Sequence, residues 1–192
     1  MPAKPLAVRL LEQRRIPHTV HEFDSVIRSA HEVAQATGMP AGAVYKTLVV
    51  EEDPPRGKPS LVMVPADSEL DLKALARALE VKKLRMASHR DAERITGLLV
   101  GGISALALTA KGFPVYVDAR VLGLERVLVS AGQRGMDVGL SVADLLTVTA
   151  AKPVEGCSRP AGKDEPWAQP PADACIEPIS CSSASTITMS PS

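Results

Sequence analysis

The sequence predicts an α+β fold: a single domain with a mixed or antiparallel central sheet flanked by helices, followed by a C-terminal tail. Three observations carry this. Short apolar runs of strand length are interleaved with amphipathic runs of helix length. Their spacing is uneven, unlike the regular βαβ repeat of a parallel sheet. Composition also changes near Lys152: from 153 to 192 proline and serine recur while leucine and phenylalanine are absent. Such a stretch cannot bury enough apolar area to offset its ordering entropy. The domain is therefore placed at 1–152 and a disordered Pro/Ser-rich tail at 153–192.

Taken in order, Leu6, Val8, Leu10 and Leu11 suggest a first helix that ends near Arg15, with Ile16-Pro17 as its stop. A short strand from Thr19 to Phe23 follows. Ser29 and Glu32 have capping-box spacing and open a helix closed by Gly38. After a turn at Met39-Pro40, Ala43 to Val50 is apolar on both faces and predicts a central strand. Pro54-Pro55-Arg56-Gly57 marks a connection into Ser60 to Pro65, which makes an antiparallel pair. Leu72, Leu75, Ala76 and Leu79 define a helix over Asp71 to Leu79. A brief strand is expected at Lys82 to Met86, then a helix from Ser88 to Thr96-Gly97, again with a capping pair, Ser88 and Asp91. Strands at Pro114 to Asp118, Arg126 to Ser130 and Met136 to Leu140 precede a last helix, capped by Ser141 and running through Thr149.

Composition excludes several classes. The chain has 192 residues, 45% of them apolar, and 22 basic residues balance 22 acidic ones. That balance gives no overall attraction to nucleic acid. Lys73, Arg77, Lys82, Lys83, Arg85, Arg90 and Arg94 form a local basic excess, diluted by Glu80, Asp91 and Glu93, which is either a phosphate-following surface or a solvated helix and strand edge. No apolar run reaches the roughly 18 residues of a membrane span, and the N-terminus has no signal-like stretch, so a cytoplasmic location is expected. Cys157, Cys175 and Cys181 have no Cys-x-x-Cys spacing, and His18, His21, His31 and His89 form no ligand pattern. Neither a metal nor a cofactor is expected.

Three segments can carry chemistry. Lys46 shares a strand face with Leu48 and Val50 by alternation, where an ammonium is costly unless it meets a partner or an anion. The alternative is that its stem packs and its head reaches water. Leu99 to Ser104 holds the glycine pair Gly101-Gly102, which either lets main-chain N–H groups approach a ligand or merely bends the chain between helix and strand. Ser130 to Asp137, containing Gly132 and Gly135, is a second glycine loop. Its Asp137 can hold an amine or a ribose hydroxyl, or else stand with Arg134 as a surface charge on a hairpin. Neither a Ser-His-Asp arrangement nor a nucleophile elbow is present.

Together, Tyr45-Lys46-Thr47-Leu48, the run TGLLVGGIS from Thr96 to Ser104 and the run VSAGQRGMD from Val129 to Asp137 resemble the YbaK/EbsC-type aminoacyl-tRNA deacylases. These are free-standing relatives of the editing insertion in bacterial prolyl-tRNA synthetase, and their best-known branch is the Cys-tRNA(Pro) deacylase. The resemblance spans about Leu6 to Ala150. It implies an enzyme without a metal that removes a wrong amino acid from the 3′ acceptor end of a transfer RNA, and it leaves open whether prolyl-tRNA synthetase joins it as a partner. It implies that Lys46 is the main functional side chain, engaging the phosphate or ribose of the terminal adenosine. Gly101, Gly102, Ile103 and Ser104 would line the aminoacyl ester, and Ser130, Gly132 and Asp137 would complete the pocket. An activated ester needs positioning and hydrogen bonds to the developing oxyanion more than a side-chain nucleophile, and in the cysteine branch the substrate's own thiol is the attacking group.

Two departures stand out. Ala105 replaces the proline that usually ends the family's glycine loop, and Phe23, counted here among the substrate-binding residues, replaces a common tyrosine near the first strand. They keep two alternatives in view: a sister deacylase for alanine, serine or threonine, and a binding module that grips aminoacyl-tRNA or a nucleotide without hydrolysis.

Overall fold

In the computed structural model, which describes residues 4–27 and 29–160, every α-helix after the first opens on a side-chain cap. After α1 (Leu6–Gln13) and β1 (His18–Glu22), α2 (Ala30–Thr37) opens on a capping box. Ser29 Oγ accepts from the Glu32 N–H and the Glu32 carboxylate accepts from the Ser29 N–H, both at 3.2 Å. It closes on Gly38, whose φ of 68° favours a residue without Cβ. Next come β2 (Val44–Glu52), β3 (Ser60–Pro65), β4 (Ser68–Leu70) and α3 (Leu72–Ala78), the last capped by Asp71. They are followed by β5 (Leu84–Met86) and α4 (His89–Thr96), the latter capped by Ser88 and ended by Gly97. The chain continues through β6 (Val115–Asp118), β7 (Arg126–Gln133), β8 (Met136–Ser141) and α5 (Val142–Thr149) to β9 (Lys152–Val154) and β10 (Ser158–Pro160).

One mixed sheet organises these elements in the order β1-β8-β7-β2-β3-β6-β9, with β5 also on β2. The β2–β7, β3–β6 and β6–β9 pairs are parallel and the others antiparallel. Alternation along β2 then distributes the core. Tyr45 and Val49 face a cluster with Leu11 of α1 and Leu145 of α5. Leu48 and Val50 face a second cluster with Leu75 of α3, while Val44 faces a third with Val33 of α2. Helices thus cover both faces, as expected for a central sheet flanked by helices. Among the described residues, no helix is long and apolar enough to cross a membrane.

The expected domain boundary at Lys152 is too early. β9 extends the main sheet on β6, and β10 pairs antiparallel with β4 in a separate two-stranded sheet. Cys157 between them is fully buried. The reason is polar, which is why apolar patterning missed it. Asp118, 3% exposed, accepts from Ser158 Oγ and from Arg120 Nε (3.0 Å), and the Arg120 guanidinium also donates to Ser68 Oγ (2.5 Å) and Ser158 Oγ (2.8 Å). A buried carboxylate must be paired in this way, and Ser158 completes the pairing that Arg120 begins. The remainder of the expected tail, 161–192, lies outside the described residues.

Candidate functional site

Strand β2 stands at a fork in the sheet. Its parallel ladder with β7 covers only Val44 and Tyr45, and its ladder with β5 begins at Val50, while β3 occupies the opposite edge from Tyr45 to Val50. Lys46 to Val49 therefore run past a gap between β7 and β5. A cleft of about 300 Å³ opens there.

Register places polar side chains in a row across it. Val44 stands beside Leu128, so two residues further on Lys46 and Ser130 share one face of the sheet. Ser130 lies opposite Asp137, and Asp137 opposite His21. Lys46, Ser130 and Asp137, far apart in sequence, all line the cleft.

Lys46 is half-buried, and its Nζ donates to the Ser68 carbonyl at 2.7 Å. That contact uses one of the three N–H bonds of an ammonium. Burial lowers its pKa, against the opposing pull of Glu69 and Asp67. Asp137 is only 7% exposed, and burial pushes its carboxyl up to about 7. Desolvation is the cause of that rise, and the neighbouring His21 is itself shifted down, first by burial and then by Arg126. Asp137 is therefore a buried acid poised to ionise near neutrality when a cation arrives, and the surface-charge alternative for it falls. Ser130 Oγ accepts from the Gly132 N–H at 3.4 Å.

The two glycine loops have divided roles. Gly101, at φ 91°, lines the cleft, and with no side chain it can present only its main chain there; Ile103 lines it too. Gly102, Ser104 and Gly132 lie outside the lining. A Cβ on Gly102 would come within 2.9 Å of the Arg134 nitrogen, and one on Gly132 within 2.8 Å of Ala107 Cβ. These glycines are needed because the loops pack against each other. Ser104, fully buried, uses its Oγ to accept from the Ala107 N–H at 3.3 Å. Phe23 also lies outside the lining, packed on the cluster of Val33 and Val44, with its N–H on the Gly135 carbonyl at 3.0 Å.

Sequence reasoning missed several lining residues. Thr47 borders the cleft, and its Oγ1 is buried with no hydrogen-bond partner, although in the sequence it passes for an ordinary β-branched strand residue. Ser29 and His31 in the first turn of α2 and His89 in the first turn of α4 also border it. Both helices thus turn their positive ends towards the cleft, an electrostatic setting suited to an anionic group. The capping signals were visible in the sequence, but not that the two helix starts converge. Much of the nearby basic excess is spent on carboxylates: Lys83 on Asp53 at 2.5 Å, Arg85 on Glu51 at 3.1 Å and Arg94 on Asp91 at 3.1 Å. Cys157 offers no nucleophile, because its buried thiol is raised to about 12, chiefly by desolvation, and it sits on Asp118 away from the cleft.

Comparison with known proteins places this architecture. The sequence profile of the aminoacyl-tRNA editing domain matches residues 24–148. EbsC of Enterococcus faecalis, named as a candidate Cys-tRNA(Pro)/Cys-tRNA(Cys) deacylase, is 35% identical over 76% of this chain and 88% of its own length. The proline–tRNA ligase of Geobacter metallireducens is 29% identical over 73% of this chain, which spans 25% of that enzyme's length. A crystal structure of a candidate trans-editing enzyme for prolyl-tRNA synthetase superposes with a TM-score of 0.65 at 27% identity, covering 80% of this chain and 97% of the other. The profile covers most of the described chain and includes Lys46, both glycine loops and Asp137. The chain belongs to the aminoacyl-tRNA editing domain family.

Proposed function

We propose that the chain is a trans-editing aminoacyl-tRNA deacylase that frees a wrongly attached amino acid from the 3′ end of a transfer RNA, with Cys-tRNA(Pro) as its substrate. The observation that carries this reading is the row Lys46, Ser130 and Asp137 facing the main chain of Gly101 across one cleft. Lys46, with two N–H bonds to spare beyond its contact with Ser68, takes the phosphate or ribose of the terminal adenosine. Asp137 takes the α-ammonium of the aminoacyl group, whose positive charge draws the buried carboxyl to its ionised form. The Gly101 main chain lies beside the ester carbonyl, where charge develops.

For a cysteinyl ester no protein nucleophile is required. The substrate thiol adds to its own carbonyl carbon, the ester C–O bond breaks, and the ribose hydroxyl leaves with the proton to give a cyclic thiolactone. The enzyme contributes orientation and a preorganised environment for the oxyanion. Acting in trans, it would follow prolyl-tRNA synthetase, which is the proposed partner, in the cytoplasm. The likeness to EbsC across most of both chains supports the free-standing mode.

The test is incubation of the purified chain with proline tRNA charged with cysteine, and with tRNAs charged with alanine, serine and threonine. Loss of the cysteinyl ester is expected. Turnover confined to the other esters would move the chain to a sister deacylase, and no turnover on any would leave only the binding-module reading.

A further inference from the structure

We propose that Glu93 and Arg134 form a positioning pair that aims the main chain of Gly101 at the ester carbonyl, an inference that rests on the deacylase reading above. The observation is that both main-chain groups of Val100 are held by side chains from other elements. Its N–H donates to Glu93 Oε1 at 2.9 Å, and its carbonyl accepts from Arg134 Nε at 2.7 Å. Glu93 belongs to α4 and Arg134 to the turn between β7 and β8, so the residue just before Gly101 is tied to two rigid parts of the fold. Arg134 Nη2 lies 3.9 Å from the same Glu93 oxygen, which aligns the two side chains with each other.

A second observation points the same way. Gly102 sits so close to the turn that a Cβ would come within 2.9 Å of main-chain atoms of Gln133 and Arg134. The loop around Gly101 is therefore pressed onto the β7–β8 turn at Gly102 and held at Val100 by Arg134 of that turn and by Glu93 of α4. Ala105 leaves this loop without a proline to stiffen it at that position, and the clamp supplies restraint from outside. Both charged side chains are about one-third exposed, at 30% and 37%, so their ion pair contributes little to stability. Their effect is on geometry. An oxyanion donor acts only if held where the charge develops, and a displacement of about 1 Å can cost a hundredfold in rate.

The test uses full-length Arg134→Met, Glu93→Ala and the conservative Arg134→Lys, with kcat and KM measured on Cys-tRNA(Pro) and amide hydrogen exchange followed across 100–104. The expected result is a fall in kcat of roughly tenfold or more, with KM within about twofold, because the restraint matters most in the transition state. Arg134→Lys should recover part of the loss, since an ammonium still reaches the Val100 carbonyl. Exchange across 100–104 should quicken in the Met variant. Unchanged kcat in both the Met and Ala variants, or a loss borne by KM alone, would overturn the proposal. If Arg134→Met does not fold, Glu93→Ala decides by the same criteria. If the parent deacylates nothing, the deacylase reading falls on its own account; unchanged exchange across 100–104 then overturns the clamp and faster exchange sustains it.

Discussion

Replacing Asp137 by asparagine should stabilise the protein at neutral and alkaline pH while abolishing its activity. The carboxyl rises from 3.8 to about 7 in the folded chain because burial removes the solvent that would stabilise its charge. Between those two values the folded chain holds a proton that the unfolded chain has released. Stability from this group is therefore fully present below 3.8 and is lost as pH rises through about 7. The whole interval corresponds to a penalty on the order of 4 kcal/mol, of which roughly 3 kcal/mol accrues between about pH 5 and about pH 8.5. Asparagine keeps the shape and carries no charge, so it removes that loss. Urea denaturation of parent and Asp137→Asn at the two ends of this range should show the variant's advantage widening as pH rises. The same variant should no longer hold the substrate ammonium. A constant difference between the two proteins, or a parent that gains stability with pH through this range, would refute the reasoning.

Other substitutions test separate links. Lys46→Ala should abolish deacylation while thermal melting shows stability near or above the parent, because it removes a partly desolvated ammonium and only one hydrogen bond. Thr47→Val removes a buried hydroxyl that has no partner, so stability should hold or rise by about 1 kcal/mol in denaturant titrations. A fall in kcat in that variant would assign Thr47 Oγ1 to the substrate. Gly102→Ala forces a Cβ against main-chain atoms at 2.9 Å and should cost about 1–3 kcal/mol in the same titrations. A chain ending at Lys152 loses β10 and the Ser158 contact to the buried Asp118, and calorimetry should show a melting temperature lowered by several degrees or more.

Local signals were legible where the physics is local. The capping box at Ser29, the N-cap at Ser88, the glycine stops at Gly38 and Gly97, and the alternation of Lys46 with Leu48 and Val50 all appear in the structure as the residues imply. The β10 strand was not legible, because Ser158, Arg159 and Pro160 have no apolar pattern and are held by β4 and by Asp118, far away in sequence. The glycine loops were legible as loops but only partly in purpose. Gly101 lines the cleft, whereas Gly102 and Gly132 are required by close packing of the loops.

What the sequence determined by itself is the inventory: a mixed or antiparallel sheet flanked by helices, a lysine in a central strand, two glycine loops and an acid after the second. Each follows from periodicity, capping or turn chemistry within a few residues. Only the tertiary structure decided that β2 forks between β7 and β5, that Lys46, Ser130 and Asp137 fall in one row, and that Asp137 is buried deeply enough to titrate near neutrality. Those properties depend on strand register and desolvation, which arise from pairings between residues far apart in the sequence, such as His21 with Asp137, and leave no local trace in the chain.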